Sequence, residues 1–337
     1  MLLSKQKNDI DFVVLWVEGN DPEWQSELNK YRPQFEGDTR TCRYRDWGNL
    51  KYLFRGFDQC TPWVRKIHFV TWGHLPPWLN CRHEKLNIVR HKDFLLKENL
   101  PVFSSHPIEL NLHRIPGLAE KFVYFNDDMF LLSPINMSYF FKNGIPKDMC
   151  VFNAIFLDSI SHVRLSCIEV VDKWFSKRDV MIKNVFKIFN SKYGLHQLRT
   201  LCLLPWPQMT GFYDPHQPQP FLKKTFEEVW FKNNDILTKT SASRFRSKED
   251  VSQYLFRYWQ LLKGEFYPRS FSDTHTIPMR NSKDVDIVAE IIKSKKYTML
   301  CINDEIEEIE DNLFISYKEN INQAFGTIFS GKSSFEL

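Results

Sequence analysis

The sequence has few glycines and no long hydrophobic run, and each absence excludes a class of protein. Its 337 residues include only 12 glycines, so we do not expect a glycine-built loop that wraps phosphate groups. The longest apolar run near the start, residues 12–17, is six residues long and is flanked by Asp11 and Glu18. A membrane-spanning helix needs about 20 apolar residues, so we interpret this run as a buried strand rather than a signal peptide.

The cysteines and the charges exclude two further classes. The seven cysteines are scattered and no Cys-x-x-Cys pair occurs, which predicts a reduced, cytoplasmic protein without structural zinc. Lys and Arg number 45 and Asp and Glu number 41, so the net charge is +4, and the charges are mixed along the chain. Because no basic tail stands out, we expect no nucleic-acid partner.

The chain does have the composition of a folded enzyme-sized domain, with 43% hydrophobic and 15% aromatic residues. In the first 150 residues, short apolar runs alternate with polar, helix-like stretches. This alternation predicts an α/β fold with a Rossmann-type, mostly parallel sheet flanked by helices. Strands are predicted at residues 10–17, 66–71, 86–91 and 122–125, and a helix against the sheet at residues 47–57.

The pattern changes after residue 155. Residues 156–205 are helix-like and basic, with an apolar repeat over residues 182–193, and we interpret them as a helical insertion. A proline-rich loop follows up to residue 220. Helices are predicted at residues 222–231 and 248–262, and a strand at residues 297–302 that returns the chain to the sheet. We expect one domain over residues 1–310 and a C-terminal tail over residues 311–337.

Acidic side chains follow two of the predicted strands. Residues 123–125 run into Asn126, Asp127 and Asp128, and residues 299–302 run into Asn303 and Asp304. In open α/β sheets, ligands bind at the carboxyl ends of the strands. Carboxylates fixed there can hold a hard divalent cation such as Mg²⁺, with Asp127, Asp128 and Asp304 as ligands, or can act as a base. The alternative is an ordinary turn, in which Asn and Asp are common.

The exit of the first strand is a third candidate for ligand binding. Trp16 could stack on a nucleotide base, Gly19 would allow a close backbone approach, and Asp21 adds a carboxylate. A plain turn into a helix begun by Asp21 and Pro22 explains the same residues equally well.

Cationic side chains for a phosphate ligand come from distant segments. His216 lies in the proline-rich loop rather than on an apolar face, which favours a role in a site. Arg244 and Arg246 precede a segment in which Ser247 and Asp250 have the spacing of a helix cap. Either arginine could clamp a phosphate, or both could form a solvated basic patch. The same alternatives hold for Arg43 and Arg45, with a salt-bridged helix start as the structural explanation.

Four blocks of the chain together resemble the Stealth family, which includes bacterial capsular polysaccharide phosphotransferases and the catalytic subunit of the animal N-acetylglucosamine-1-phosphotransferase. The first block is residues 10–22, where Glu18 replaces the usual Asp. The others are residues 43–130, residues 216–258 and residues 301–305. By matching positions, the resemblance implies a catalytic group of Glu109, Asp128, His216 and Arg246, with Asn303 and Asp304 beside it.

The resemblance also implies a fold and a reaction. The fold would be similar to that of the glycosyltransferases of type A, and the domain over residues 1–310 would be a sugar-1-phosphate transferase. An acceptor hydroxyl would attack the sugar-proximal phosphate of a UDP-sugar, UMP would leave, and a phosphodiester would form in capsule or exopolysaccharide synthesis. Arg246 and a divalent cation would neutralise charge, and the base would be Asp128 or His216.

Two other functions are compatible with the same residues. A conventional glycosyltransferase would form a glycosidic bond and release UDP, and a carbohydrate-binding protein would show no turnover. The expected acceptor is a glycan or a lipid-linked oligosaccharide. A lipid-linked acceptor would require peripheral contact with the inner face of the plasma membrane. The aromatic residues 137–142 are one candidate for that contact, with burial in the core as the alternative.

Overall fold

The computed structural model describes residues 9–32 and 44–337. The strands in these ranges are β1 (Ile10–Leu15), β2 (Ile67–Thr71), β3 (Leu86–Arg90), β4 (Lys121–Asn126), β5 (Met129–Leu131), β6 (Phe141–Lys142), β7 (Ile145–Asp148), β8 (Gln219–Leu222), β9 (Tyr267–Pro268), β10 (Thr274–Met279) and β11 (Met299–Asp304). The α-helices in the same ranges are α1 (Pro22–Tyr31), α2 (Leu50–Cys60), α3 (Ser105–Leu110), α4 (Ser161–Asp172), α5 (Lys177–Lys183), α6 (Val185–Ile188), α7 (Gln197–Cys202), α8 (Lys223–Lys232), α9 (Asn234–Ser241), α10 (Tyr254–Leu262), α11 (Ser282–Ser294) and α12 (Asp311–Ile328).

The central sheet has five strands in the order β3-β2-β1-β4-β8. Strands β3, β2, β1 and β4 run parallel to one another, and β8 pairs with β4 in antiparallel orientation. Parallel neighbours require crossover connections, and α1 and α2 lie in the crossover between β1 and β2. The predicted mostly parallel α/β sheet is therefore confirmed, and all four strands predicted in the first 150 residues are present.

Strand β1 shows how the central sheet separates two cores. All six of its residues are buried. Phe12 and Val14 belong to the cluster that contains α2, whereas Val13 and Leu15 belong to the cluster that contains α8 and α10. This alternation arises because successive side chains of a strand point to opposite faces. Helices on both faces leave the carboxyl ends of the strands as the edge where a ligand can enter.

A second sheet, of order β10-β11-β5, begins where the central sheet ends. We expected the strand at residues 297–302 to rejoin the central sheet, and this expectation is wrong: β11 pairs with β10 and β5. The turn at Asp127 and Asp128 carries the chain directly from β4 into β5. The Ile302 amide donates a hydrogen bond of 2.9 Å to the Asp128 carbonyl oxygen, so the end of β11 lies beside the end of β4.

The segment 156–205 is helical as predicted and contains α4 to α7. The apolar repeat over residues 182–193 does not form one continuous helix: it is divided among α5, α6 and the 3₁₀ helix Ser191–His196, and Asn184 leaves the helical conformation. Ile182 and Phe186, which gave the apolar repeat, are exposed, whereas Ile188 is buried. The repeat therefore predicted helical periodicity correctly, but most of it lies on the outer surface.

The helix predicted over residues 248–262 begins later than expected. Helix α10 starts at Tyr254, and the preceding residues form a turn in which the Ser247 amide donates to Asp250 Oδ2 at 2.9 Å. Buried Asp250 also accepts from the Ser243 hydroxyl at 2.9 Å and lies 3.0 Å from His106 Nδ1. These contacts fix the chain to α3 and α9, so the cap-like spacing of Ser247 and Asp250 closes a turn rather than opening a helix.

The last segment, residues 311–337, contains α12, which packs against α11. Phe325 of this helix stacks on Tyr52 of α2 with ring centroids 5.2 Å apart. Phe335 is buried in the same cluster, and Arg55 of α2 forms an ion pair of 2.7 Å with Glu336. The residues expected as a C-terminal tail thus contribute to the core beneath the central sheet.

The segment 137–142 also contributes to the core. Phe140 and Phe141 are buried, and β6 belongs to a third, small sheet of order β6-β7-β9. Burial was the alternative to membrane contact for these aromatic residues. Over residues 9–32 and 44–337, no helix has the length and apolar character needed to cross a bilayer.

Candidate active site

One cleft, with a volume of about 690 Å³, opens at the carboxyl ends of β1, β4 and β11. The turn after β4 contributes Asp127 and Asp128 to its wall, and the residues at the end of β11 contribute Asn303 and Asp304. The two acidic strand ends singled out in the sequence therefore face one cavity. They do not meet as two strand ends of one sheet, because β11 belongs to the second sheet; they meet because β11 pairs with β5, which follows the turn at Asp127 and Asp128.

Asp128 lies at the centre of this wall. Its Oδ2 is 3.7 Å from His216 Nε2, and the Cys301 sulfur completes a group whose ligand atoms all lie within 4.8 Å of one another. Asp128 Oδ1 is buried and accepts no hydrogen bond from the residues that the structure describes. Burial raises the pKa of the Cys301 thiol, as does the nearby Asp128 carboxylate, so the thiol stays protonated.

The ionisable side chains at this wall shift one another's pKa values. Burial, followed by the neighbouring Asp128 carboxylate, raises the pKa of Asp127 to about 7. Burial by itself would lower the pKa of His216, but the Asp128 carboxylate, aided by Glu109 and Asp214, outweighs burial and raises it. Two crowded carboxylates beside an imidazole form a site suited to a ligand that brings both positive and negative charge, such as a cation with a phosphate.

His216 is positioned by a buried ionic network rather than by the prolines alone. The Arg257 guanidinium donates to both oxygens of Asp148 at 2.9 Å and to Asp214 Oδ1 at 2.5 Å. The Tyr258 hydroxyl donates to the other oxygen of Asp214 at 2.7 Å. His216 itself has a φ of 49°, a left-handed conformation that is uncommon for residues other than glycine. The network fixes Asp214, two residues before His216, and so holds the chain in this conformation.

Sequence reasoning missed Arg257 and Asp148. Asp148 ends the short strand β7 and carried no recognisable motif. Arg257 did leave a signal, because it is the one charged residue within the sequence of α10, YLFRYWQLL. A charged side chain in the middle of a buried helix requires a partner of opposite charge.

Glu109, the residue carried over from the resemblance, lies on α3 and is buried at the cleft wall. Its Oε1 is 3.2 Å from the Tyr124 hydroxyl, and its Oε2 accepts from the Gln253 amide at 3.1 Å. The same hydroxyl lies 2.5 Å from Asn126 Oδ1. These contacts connect Glu109 to the end of β4 and fix its carboxylate at the cavity.

Arg246 brings a guanidinium to the same cleft. Its Nη2 donates to the Ser105 hydroxyl at 3.4 Å, and the turn held by Asp250 follows it in the chain. Arg244 is directed elsewhere: its guanidinium lies 4.8 Å from the ring centre of Tyr31, and it does not line the cleft.

Asp304 is already surrounded by donors. Arg45 lies 3.0 Å from its Oδ2, the Trp47 indole donates to the same oxygen at 3.0 Å, and the Ile306 amide donates to Oδ1 at 2.9 Å. Burial raises the pKa of this carboxyl, and Arg45 opposes the shift. Arg45 and Asp304 both line the cleft, but they contact each other.

The remaining predicted residues divide between the cleft and the scaffold. Trp16 lines the cleft and stacks on Phe69 with centroids 5.5 Å apart. Asp21 caps α1 by accepting from the Trp24 amide at 2.8 Å. A Cβ at Gly19 would lie 1.8 Å from the Tyr44 carbonyl oxygen. Gly19 and Asp21 thus serve local packing outside the cleft, and Arg43 falls outside the described residues.

Comparisons with known proteins agree with a transferase site. The family model described as "Stealth protein CR1, conserved region 1" matches residues 8–36, and the model described as "Stealth protein CR2, conserved region 2" matches residues 43–148. The capsular polysaccharide phosphotransferase WcwK of Streptococcus pneumoniae is 41% identical, with 98% of this chain and 99% of the relative covered. The exopolysaccharide phosphotransferase cps2G of Lactiplantibacillus plantarum is 36% identical, with 97% and 96% covered.

Identity at this level over nearly the full length shows that the protein is a phosphotransferase. The chain belongs to the Stealth family. Among solved structures, the galactosyltransferase LgtC, determined with donor and acceptor sugar analogs, superposes with a TM-score of 0.41 at 10% identity, covering 94% of this chain and 95% of that one.

Proposed function

We propose that this phosphotransferase transfers a sugar-1-phosphate from a UDP-sugar to a hydroxyl group of a glycan acceptor and releases UMP. The setting we propose is the synthesis of capsule or another cell-surface polysaccharide, because the relatives are named capsular, exopolysaccharide and receptor polysaccharide phosphotransferases. The acceptor is a glycan or a lipid-linked oligosaccharide, which a cytoplasmic enzyme would meet at the inner face of the plasma membrane.

The observation that carries the proposal is the meeting of Asp128, His216 and Arg246 at one cleft, from three separate parts of the chain. Transfer of a phosphoryl-type group depends mainly on positioning and on neutralising charge at the phosphate oxygens. Arg246 supplies a fixed positive charge and two parallel donors for a phosphate. Trp16, which lines the cleft at the exit of β1 and is stacked on Phe69, is the aromatic side chain we propose for contact with the uracil base.

The proposed reaction balances within these groups. The acceptor oxygen bonds to the sugar-proximal phosphorus, and the bond from that phosphorus to the bridging oxygen of the pyrophosphate breaks. UMP leaves with the electron pair, and the acceptor proton passes to a base. We assign Asp128 the role of the base or of a ligand to the cation, and we assign the contact with the transferred phosphate to His216. Glu109, which is fixed at the same cavity, is the further carboxylate in this group.

The residues present fit a divalent cation. Asp127 and Asp128 would hold the cation. When bound, it would neutralise negative charge on the phosphate oxygens. The fit rests on Asp128 Oδ1, which is buried and accepts no hydrogen bond within the described ranges. A protonated Cys301 thiol is a poor ligand for a hard ion such as Mg²⁺. Asp304 remains a proposed ligand, and would have to exchange contacts with Arg45 or Trp47 to serve as one.

Identification of the released nucleotide tests the proposal. The purified chain is incubated with a series of UDP-sugars and a glycan acceptor, with magnesium or with a chelator, and the nucleotides are separated by chromatography. Acceptor-dependent release of UMP that the chelator abolishes is the expected result. Release of UDP would identify a conventional glycosyltransferase, and no release with any donor would count against UDP-sugars as substrates.

A further inference from the structure

The segment 156–205 ends in a pair of helical arms. We call these arms, together with the adjoining Trp206, the insertion hairpin (residues 177–206). One arm is α5 with α6, and the other is α7. Gln197 Nε2 donates to the Ile188 carbonyl at 2.9 Å, which joins the start of α7 to the end of α6. Lys177 Nζ donates to the Leu203 carbonyl at 2.6 Å, which joins the chain after α7 to the start of α5. The two arms therefore run side by side in opposite directions.

The outward face of the insertion hairpin is apolar. On the first arm, Ile182 near the end of α5 and Val185 and Phe186 at the start of α6 are exposed, and on the second arm the exposed Leu198 and Leu201 lie about one helical turn apart on α7. Phe186 is 85% exposed, and Leu195, between the arms, is 84% exposed. Water-exposed surfaces of proteins seldom carry so many large apolar side chains on one element unless something covers them.

The charge of the insertion hairpin indicates what covers it. The insertion hairpin has six cationic side chains and one carboxylate: Lys177, Arg178, Lys183, Lys187, Lys192 and Arg199 against Asp179. Its formal charge is therefore +5, whereas the whole chain has +4. An apolar surface with this excess of positive charge complements a bilayer that carries anionic headgroups. It is less suited to a second copy of the same cationic surface, because like charges would oppose each other.

The insertion hairpin also adjoins the cleft. Arg199 of α7 lines the cavity, as do Phe156 and Arg164 of the same insertion. Arg199 Nη1 donates to Asn153 Oδ1 at 2.7 Å, and its guanidinium lies 5.4 Å from the ring centre of Tyr213, three residues before His216. A surface bound to the outward face would therefore lie close to the catalytic opening.

We propose that the insertion hairpin docks the enzyme on an anionic phospholipid bilayer, with its apolar side chains at the headgroup boundary and the exposed Arg178 and Lys183 against lipid phosphates. The inference rests on the proposed function for its purpose, which is to bring the cleft to a lipid-linked acceptor. Docking itself requires no turnover, so the two can be tested separately.

The test is flotation of the full chain with phosphatidylcholine vesicles that contain or lack phosphatidylglycerol. The wild type is expected to float with the anionic vesicles, and a Phe186→Glu, Leu198→Glu double variant to bind about tenfold more weakly or worse, because it places charges in the apolar boundary. Lys183→Gln should weaken binding about fivefold. Ile315→Glu, at a half-exposed position on α12, is the matched control and should bind like the wild type.

Each other outcome overturns the inference. Absence of flotation by the wild type, or equal binding by the double variant, removes the insertion hairpin as the docking surface. A wild-type dimer in sedimentation that the double variant abolishes would assign the face to a second copy instead. UMP release on a soluble acceptor is measured in parallel: the double variant should retain it, and its absence in the wild type would count against the proposed function without changing the vesicle result.

Discussion

Arg257 and Asp214 form a buried ion pair, with guanidinium Nη1 2.5 Å from the carboxylate Oδ1. This pair holds the loop that carries His216, and Asp148 holds the other side of the same guanidinium. His216 is thus positioned by residues more than 60 positions away on one side and more than 40 on the other, as the numbering of Asp148 and Arg257 shows.

Replacement of Arg257 by glutamine should destabilise the fold. Removing one partner of a buried pair leaves Asp148 and Asp214 without a compensating charge, at a cost of about 3–5 kcal/mol in the free energy of unfolding. Chemical denaturation measures the loss. Arg280→Gln is the matched control, because Arg280 pairs with Glu305 on the surface and should contribute less than about 1 kcal/mol. Equal stability of the two variants would contradict the structural role of Arg257.

Asp128→Asn and His216→Ala should each lower turnover by about a hundredfold or more while the protein stays folded, since general-base and phosphate-contacting groups contribute at least that much. Initial rates at saturating donor, with circular dichroism to verify folding, give the answer. Asp235→Asn, an exposed carboxylate on α9, should retain the wild-type rate. A folded variant with a near-normal rate would remove its residue from the mechanism.

The two neighbouring arginines should behave differently. Arg246 lines the cleft and Arg244 stacks on Tyr31, so Arg246→Gln should reduce kcat/KM by roughly ten- to hundredfold, the worth of a charge-assisted contact. Arg244→Gln should have little effect on kcat/KM. The reverse order in steady-state assays would place the phosphate site on the other side of Phe245.

Acid should destabilise the protein partly through His91. Burial, and then the nearby His74, lower the pKa of His91 to about 3. The unfolded chain binds this proton near pH 6.5 and the folded chain does not, so the free energy of unfolding falls as the pH decreases from about 7 towards 3. By pH 5 this residue should account for about 2 kcal/mol of the fall.

The measurement is urea denaturation at pH 7 and pH 5. Between the two pH values, the free energy of unfolding of His91→Gln should fall by about 2 kcal/mol less than that of the wild type, whatever the absolute stability of the variant. His162→Gln, at an exposed position on α4, should match the wild type. An unchanged pH dependence in His91→Gln would show that His91 does not supply this destabilisation.

The sequence allowed the sheet to be predicted because each strand is a short apolar run with turn residues beside it. The partners of β11 were not predictable in this way, since pairing depends on contacts distant in sequence. Periodicity likewise predicted helices near Phe186 without showing that this face points outward. A repeat of apolar residues specifies a shared face, but burial of that face depends on what the rest of the chain places beside it.

The candidate site was predictable where a general rule of topology applies, as at Asp127 and Asp128. It was not predictable where a residue has a local role that looks the same in sequence. Asp21 caps a helix and Gly19 accommodates Tyr44, and both residue types are also common in nucleotide sites. The choice between such roles is made by tertiary contacts.

The fate of the sugar-proximal phosphorus tests the central claim most directly. A UDP-sugar labelled with phosphorus-32 at that position is incubated with the enzyme and a glycan acceptor, and the products are separated. The account predicts that the label enters the acceptor as an alkaline-phosphatase-resistant phosphodiester while unlabelled UMP is released. Label recovered in UDP, with an unlabelled glycan product, would contradict it.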